Sequence, residues 1–119
     1  MKVFVLDDME VRLEWFRTRL CHKYKAIVVT AKTVSEAITC FEMHNDFDAI
    51  FLDHDLGERA FVDSSDPETG FQVAKYIRDN NINAKLIVVH SLNYGGAMNI
   101  LSVLPSAKYI PYSLLQTTI

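Results

Sequence analysis

Hydrophobic and polar positions follow two periods along this chain. Short runs that are apolar throughout, such as residues 2–7 and 49–53, have the pattern of strands buried on both faces. Between them, apolar residues recur at helical spacing, as Leu13, Phe16 and Leu20 do in the first such segment. The pattern predicts strands at 2–7, 26–30, 49–53, 86–90 and 108–110, and helices at 9–23, 33–44, 67–79 and from Gly95-Gly96 to just before Pro105.

Strict alternation of strands and helices predicts a doubly wound α/β fold. We expect a parallel five-stranded sheet with right-handed crossovers, helices on both faces and strand order 2-1-3-4-5. Residues 112–119 are too few for a full closing helix, so the final helix should be missing or very short. A chain of 119 residues can bury one full hydrophobic core, and we expect a single domain over residues 1–119.

Two helix starts have specific capping signals. Thr33 and Glu36 have the spacing of a capping box, which predicts that the second helix begins there. Asp66-Pro67 combines a good N-cap residue with a proline at the first helical position, which predicts the start of the third helix. The stretch before it, residues 54–66, is the longest irregular segment of the chain.

Carboxylates directly follow two of the apolar strands. Asp7-Asp8 closes the first strand, and the third ends in Asp53-His54-Asp55. Ligands of open α/β sheets bind at the carboxyl ends of the strands, where these side chains should meet. Crowded carboxylates repel one another unless they bind a cation or one pKa rises. Because Asp7, Asp8 and Asp53 offer hard oxygen ligands, we predict that they bind Mg²⁺ or Mn²⁺.

Histidines fall at the same predicted edge. An imidazole can protonate an alkoxide leaving group near neutral pH, so we predict a catalytic role for His54 and His90 beside Asp53. Arg12, on the first helix, could reach over the site and bind a phosphate. The alternatives are that both histidines are ordinary strand-end residues and that Arg12 is a solvated helix residue.

The composition is close to the average for a soluble globular protein, with 50% apolar and 23% charged residues. A net charge of −3 argues against extended duplex DNA binding, because it gives no long-range attraction for polyanions. No apolar run is long enough to span a bilayer, so no membrane association is expected. Cys21 and Cys40 lie in apolar helical patterns, which suggests reduced core thiols of a cytoplasmic protein.

Four motifs together carry a family resemblance. They are Asp7-Asp8 after the first strand, Asp53 after the third, Gly70 to Arg78 at a helix start, and Ser91 after the fourth strand. This set resembles the receiver domain of two-component response regulators, which has a flavodoxin-like fold. The resemblance implies that the acidic pair binds magnesium, that Asp53 accepts a phosphoryl group and that Ser91 contacts that group.

Two features depart from the receiver pattern. Receivers have a lysine immediately before the proline that follows strand five, whereas Ile110 precedes Pro111 here. Lys108 would point elsewhere by strand alternation. The segment between Asp53 and Gly70 is also longer than usual.

Two further motifs narrow the resemblance. Asp-His-Asp-Leu at 53–56 and His-Ser-x-Asn at 90–93, with the acidic pair, resemble a diverged subgroup, the cyclic-phosphate processing receiver domains. This implies metal-dependent hydrolysis or transfer of a cyclic phosphate on RNA ends or on a nucleotide. Asn93 would then join Arg12 and Ser91 in binding a small phosphorylated or cyclic-phosphate-ended substrate. For both Asn93 and Ser91, the alternative is a contact with loop backbone. Receivers commonly dimerise near the final helix, so a homodimer is also an expectation.

Three function classes stay open on the sequence. The first is a metal-dependent phosphoesterase or phosphotransferase that acts on a cyclic phosphate. The second is a signalling receiver that is phosphorylated on Asp53 and works through a partner. The third is a catalytically silent, receiver-like module that binds a metal or a phosphorylated ligand.

Overall fold

A computed structural model describes all residues, 1–119. Strands and helices alternate along the chain: β1 Lys2–Leu6, α1 Glu10–Tyr24, β2 Ile27–Ala31, α2 Val34–Met43, β3 Ala49–Leu52, α3 Gly70–Asp79, β4 Leu86–Val89, α4 Tyr94–Val103, β5 Lys108–Tyr109 and α5 Tyr112–Thr118. The strands form one sheet in the order β2-β1-β3-β4-β5, and all neighbouring pairs are parallel. The predicted doubly wound fold and strand order are confirmed.

Each face of the sheet has its own hydrophobic core. Successive residues of a strand point to opposite faces, so Phe4 and Leu6 pack on one side and Val3 and Val5 on the other. The first face is covered by α2, α3 and α4, and the second by α1 and α5. Because both faces are buried, the central strands are apolar up to their carboxyl ends, and the first polar side chains after them are free to form a site.

The two capping predictions have different outcomes. The side chain of Thr33 accepts a hydrogen bond from the backbone N–H of Glu36 at 3.1 Å, as the capping box predicts. The predicted start of the third helix at Asp66-Pro67 is wrong, since α3 begins at Gly70 after the N-cap residue Thr69. Residues before Gly70 form other contacts: Asp66 accepts from the N–H of Glu68, and Thr69 pairs in an isolated antiparallel bridge with Asp55.

The final helix is very short, as expected, and covers Tyr112–Thr118. Its Leu115 is fully buried, whereas Leu114 faces solvent. Lys23 of α1 donates to the carbonyl of Ile119 at 3.0 Å, which ties the chain end to α1. The expectation of two core thiols is wrong for Cys21, which is exposed. None of the helices has the length and apolar character needed to cross a membrane.

Candidate phosphate and metal site

A cavity of about 500 Å³ opens at the carboxyl edge of the sheet. Asp8 follows β1, Asp53 follows β3 and Ser91 follows β4, so the parallel register of the three strands brings these side chains together. The remaining lining residues come from α1, from the turn after β4 and from the long segment after β3: Met9, Arg12, Asp55, Glu58, Arg59, Ala60, Phe61, Leu92 and Asn93. The strand-end site predicted from the sequence is therefore one continuous crevice.

Arg12 contacts all three of the predicted metal-binding aspartates. Its Nε atom lies 2.9 Å from Asp7 Oδ2, and its Nη2 atom lies 3.2 Å from Asp53 Oδ2 and 3.8 Å from Asp8 Oδ1. All four side chains are largely buried, so these attractions are only weakly screened by water. The guanidinium thus partly neutralises an acidic cluster that would otherwise repel itself.

Burial and neighbouring charge separate the pKa values of Asp53 and Asp7. Burial, reinforced by the negative charges of Asp7 and Asp8, raises the pKa of Asp53 to about 7, although His90 and Arg12 act in the opposite direction. Burial also acts to raise the pKa of Asp7. The hydrogen bond and charge of His90, the hydrogen bond from the Met9 N–H and the charge of Arg12 outweigh this effect, so the pKa of Asp7 is lowered. Asp7 is therefore the permanently ionised member of the pair at neutral pH.

His90 is completely buried behind the cavity. Its Nε2 atom pairs with Asp7 Oδ2 at 2.9 Å, and its ring packs against Phe16 with centroids 5.2 Å apart. The Nδ1 atom of His90 has no hydrogen-bond partner. The structure does not bring this imidazole to the cavity, so the proton-transfer role predicted for His90 stays a prediction, and its contacts instead orient Asp7.

His54 is also completely buried, and both ring nitrogens are engaged. Its Nδ1 atom lies 2.7 Å from Asp55 Oδ1, and its Nε2 atom lies 2.8 Å from Ser64 Oγ. Helix α4 passes so close that a Cβ atom on Gly96 would lie 2.5 Å from the His54 ring. His54 does not line the cavity, so its predicted catalytic role has no geometric support here. Its contacts hold the segment after β3 against α4.

Asp55 anchors that segment. Its carboxylate accepts from the N–H groups of Phe61 and Val62 at 2.6 and 3.2 Å and from Asn93 Nδ2 at 3.0 Å. Burial acts to raise the pKa of Asp55, but hydrogen bonds from His54, Asn93 and Phe61 lower it overall. We call residues 55–69 the cap loop, because part of this segment lines the cavity and the Asp55 network holds Phe61 and Val62 there.

Ser91 and Asn93 lie at the cavity, where phosphate binding was predicted. Ser91 is buried, and its Oγ accepts from the N–H of Asn93 at 3.0 Å. The side-chain oxygen of Asn93 caps α4 by accepting from Gly96, while its Nδ2 donates to the cap loop. Asn93 and Ser91 therefore both make the loop-backbone contacts that were their alternative, and both also line the cavity.

The family profile of the cyclic-phosphate processing receiver domain matches residues 1–106. The chain belongs to this family. The match covers every strand end that contributes to the cavity. No curated protein sequence matches the chain.

Solved structures share the fold of this receiver domain at low sequence identity. A receiver protein from Pseudomonas putida is 18% identical with a TM-score of 0.75, over 98% of this chain and 90% of that one. The response regulator TrrA from Thermotoga maritima, in complex with Mg²⁺-BeF, is 20% identical with a TM-score of 0.72, over 98% and 94%. A Burkholderia pseudomallei response regulator with a phosphorylated aspartic acid, calcium and citrate is 19% identical with a TM-score of 0.71, over 91% and 58%.

The acidic cavity of this receiver domain has a donor set that fits a hard divalent cation. Asp8 and Asp53 line the cavity, and Asp7 lies directly behind them. Ligand atoms of Asp7, Asp53 and His90 all lie within 4.8 Å of one another. Because His90 is already paired with Asp7 and Mg²⁺ prefers oxygen, the carboxylates are the better ligands. The residues therefore fit the Mg²⁺ or Mn²⁺ that the sequence predicts.

The cap loop contributes to this receiver site in a way that the sequence did not predict. Glu58, Arg59 and Phe61 line the cavity, although the sequence marks their segment only as irregular. Glu58 donates its N–H to Asp8 Oδ2, so the loop directly contacts the acidic pair. Phe61 is the one Phe, Tyr or Trp of residues 54–66, and an aromatic residue in a long irregular segment was the one signal that could have indicated a ligand-binding surface.

Proposed function

We propose that this receiver domain is a metal-dependent enzyme that opens or transfers a cyclic phosphate on a nucleotide or RNA end. The observation that supports this most is the convergence of Asp8, Asp53, Arg12 and Ser91 in one cavity. The set combines cation ligands with two groups that donate hydrogen bonds to phosphate oxygens. The family's description names the same substrate chemistry.

A bound Mg²⁺ or Mn²⁺ would offset negative charge on the phosphoryl oxygens and polarise a water molecule. Asp8 and Asp53 are the residues that would hold it, and Asp7 would support them from behind. His90 keeps Asp7 in place through the 2.9 Å contact between Nε2 and Oδ2. This pair thus acts as a positioning device for the cation ligands.

The phosphate has two direct partners in this arrangement. The Arg12 guanidinium borders the cavity and can donate to two phosphoryl oxygens, and Ser91 Oγ can donate to a third. In hydrolysis, the water oxygen forms a bond to phosphorus, one of the two ring P–O bonds breaks, and the water proton ends on the leaving ribose oxygen. The product is an open phosphomonoester with one free hydroxyl group.

The end of β5 favours this function over a phosphorelay. Ile110 is the partly buried residue before Pro111, at the position where receivers have a lysine, and Lys108 is exposed outside the cavity. The cavity therefore has no ammonium group for a phosphoryl group on Asp53. Phosphorylation of Asp53 is the second candidate, because its carboxylate borders the cavity at the end of β3.

Turnover and labelling separate these candidates. We expect the purified chain with Mg²⁺ or Mn²⁺ to open members of a panel of 2′,3′-cyclic nucleotides, 3′,5′-cyclic nucleotides and cyclic-ended RNA, and Asp53→Asn to abolish turnover. Arg17→Gln is a matched control on α1, since Arg17 pairs only with groups outside the cavity. Stable labelling of Asp53 by acetyl phosphate, with no turnover of the panel, would support signalling instead.

A further inference from the structure

Three apolar side chains border the cavity yet remain exposed. Met9, Phe61 and Leu92 keep 47%, 78% and 63% of their surface in contact with solvent, and all three line the cavity. Met9 is the N-cap residue of α1, Phe61 belongs to the cap loop and Leu92 lies in the turn after β4. We call them the apolar rim. Large apolar residues grouped at the mouth of one cavity are typical of a surface that contacts a ligand.

The backbone holds Phe61 at this rim. Its φ angle is +54°, in the left-handed region that bulky residues seldom adopt. The N–H groups of Phe61 and Val62 both donate to Asp55, and the carbonyl of Val62 accepts from Asn93. Since the backbone on both sides of Phe61 is fixed while its ring is exposed, the ring forms a pre-positioned aromatic surface.

The floor of the same cavity fits a different chemistry. Arg12 and Ser91 offer donors to a phosphate, and Asp8 and Asp53 offer ligands to its counter-cation. A ligand that contacts both the floor and the apolar rim of this cavity of about 500 Å³ combines a phosphate with an apolar group. A nucleotide has both parts, and stacking on an aromatic side chain does not depend on which base is present.

We propose that the apolar rim binds the nucleobase of the substrate and that Phe61 is the residue on which the base stacks. This inference rests on the proposed function for the placement of the phosphate. It adds that the enzyme selects nucleoside phosphates over phosphates without a base. Base stacking on Phe61, with little hydrogen bonding to base edges, gives affinity without strong preference among the bases.

Binding of two product-like probes tests the inference without turnover. With Mg²⁺ present, calorimetry should show adenosine 5′-monophosphate binding wild type at least about 10-fold more tightly than ribose 5-phosphate. Phe61→Ala should weaken the nucleotide about 10- to 100-fold and leave ribose 5-phosphate unchanged. Phe61→Tyr should retain the nucleotide affinity, because it keeps the ring. Met43→Ala, which removes an exposed apolar side chain outside the cavity, should change neither affinity.

Equal affinities of wild type for the two probes would overturn the inference. It would also be overturned if Phe61→Ala lost affinity for both probes to the same extent while its thermal transition stayed unchanged. Turnover of glycerol 1,2-cyclic phosphate, which has no base, reports separately on the proposed function. Turnover of that compound with no preference for nucleotides would support the proposed enzymatic function and contradict base stacking on Phe61. A nucleotide preference that depends on Phe61, without turnover of any cyclic phosphate, would support base binding at the apolar rim and contradict the proposed enzymatic function.

Discussion

The Nε2 atom of His90 lies 2.9 Å from Oδ2 of Asp7, and neither side chain has any exposed surface. This contact joins the ends of β4 and β1, which are separated along the sheet by β3. The other oxygen of Asp7 accepts from the N–H of Met9 at 2.9 Å. Both carboxylate oxygens therefore have fixed partners, and the orientation of Asp7 is set from behind the cavity.

Metal binding should stabilise the fold measurably. At about a hundred times its dissociation constant, Mg²⁺ or Mn²⁺ should add about 2.7 kcal/mol to the free energy of unfolding. Asp53→Asn should abolish this increment, because it removes one anionic ligand, while the surface variant Asp79→Asn should retain it. Denaturant unfolding with and without metal measures both. An increment of the same size in Asp53→Asn would show that Asp53 is not a ligand.

Arg12 should compete with a bound cation. Its guanidinium lies 2.9 Å from Asp7 and 3.2 Å from Asp53, so its positive charge opposes a second cation at the same carboxylates. We expect Arg12→Gln to lower the dissociation constant for Mn²⁺ about tenfold, equivalent to about 1.4 kcal/mol, in calorimetric titrations. Arg17→Gln removes the same charge from another part of α1 and is the control. Weaker binding in Arg12→Gln would mean that Arg12 mainly positions the ligands.

Titration of Asp53 should make the free energy of unfolding depend on pH. Its pKa is about 7 in the fold and near 3.8 in the unfolded chain, so the folded state binds more protons between these values. Without metal, this residue's contribution to stability is therefore complete at low pH and is lost as the pH rises from about 4 to about 7. The pKa of Asp7 is lowered, so its contribution to stability is present at neutral pH and is lost only as the pH falls below about 4.

Asp53→Asn should remove the loss of stability across that window. At pH 8 the variant should be more stable than wild type without metal, by up to about 4 kcal/mol, the equivalent of about three pKa units. Chemical denaturation at several pH values measures the two profiles, with Asp79→Asn again as the surface control. Parallel profiles for wild type and Asp53→Asn would contradict the elevated pKa.

His54 should act on stability through the cap loop. His54→Ala leaves a buried void and removes partners from Asp55 and Ser64, so we expect a loss of about 2–4 kcal/mol in unfolding free energy. Amide hydrogen exchange should accelerate within the cap loop. Ser64→Ala leaves the His54–Asp55 contact in place and removes the contacts of the Ser64 hydroxyl with His54 and Asn99, so it should cost about 1–2 kcal/mol. Unchanged stability in His54→Ala with lost turnover would restore the catalytic role predicted from the sequence.

The fold was predictable because its signals are local and repeated. The β1 and β3 runs are apolar on both faces and end in acids, so their pattern indicates both a buried parallel sheet and the edge where Asp7, Asp8 and Asp53 meet. Likewise, Thr33 and Glu36 contact each other within one helical turn. Patterns of this kind need no information about distant parts of the chain.

The directions of individual side chains were less predictable. His54 and His90 follow the strands where the sequence places them, but contacts with distant residues turn both imidazoles away from the cavity. His54 contacts Ser64 and lies against Gly96. His90 contacts Asp7 and packs against Phe16. The start of α3 was wrong for the same reason. The bridge with Asp55 engages Thr69, which the local sequence marks as helical.

The approach of α4 to His54 links two distant positions of the sequence. Because a Cβ atom on Gly96 would lie 2.5 Å from the imidazole, no larger residue fits at position 96 while histidine occupies position 54. Substitutions at these positions should therefore occur together in the evolution of the family. A relative with a side chain in place of Gly96 must have a smaller residue in place of His54, and its cap loop must be anchored in another way. These two positions alone should sort related sequences into those that share this cap loop and those that do not.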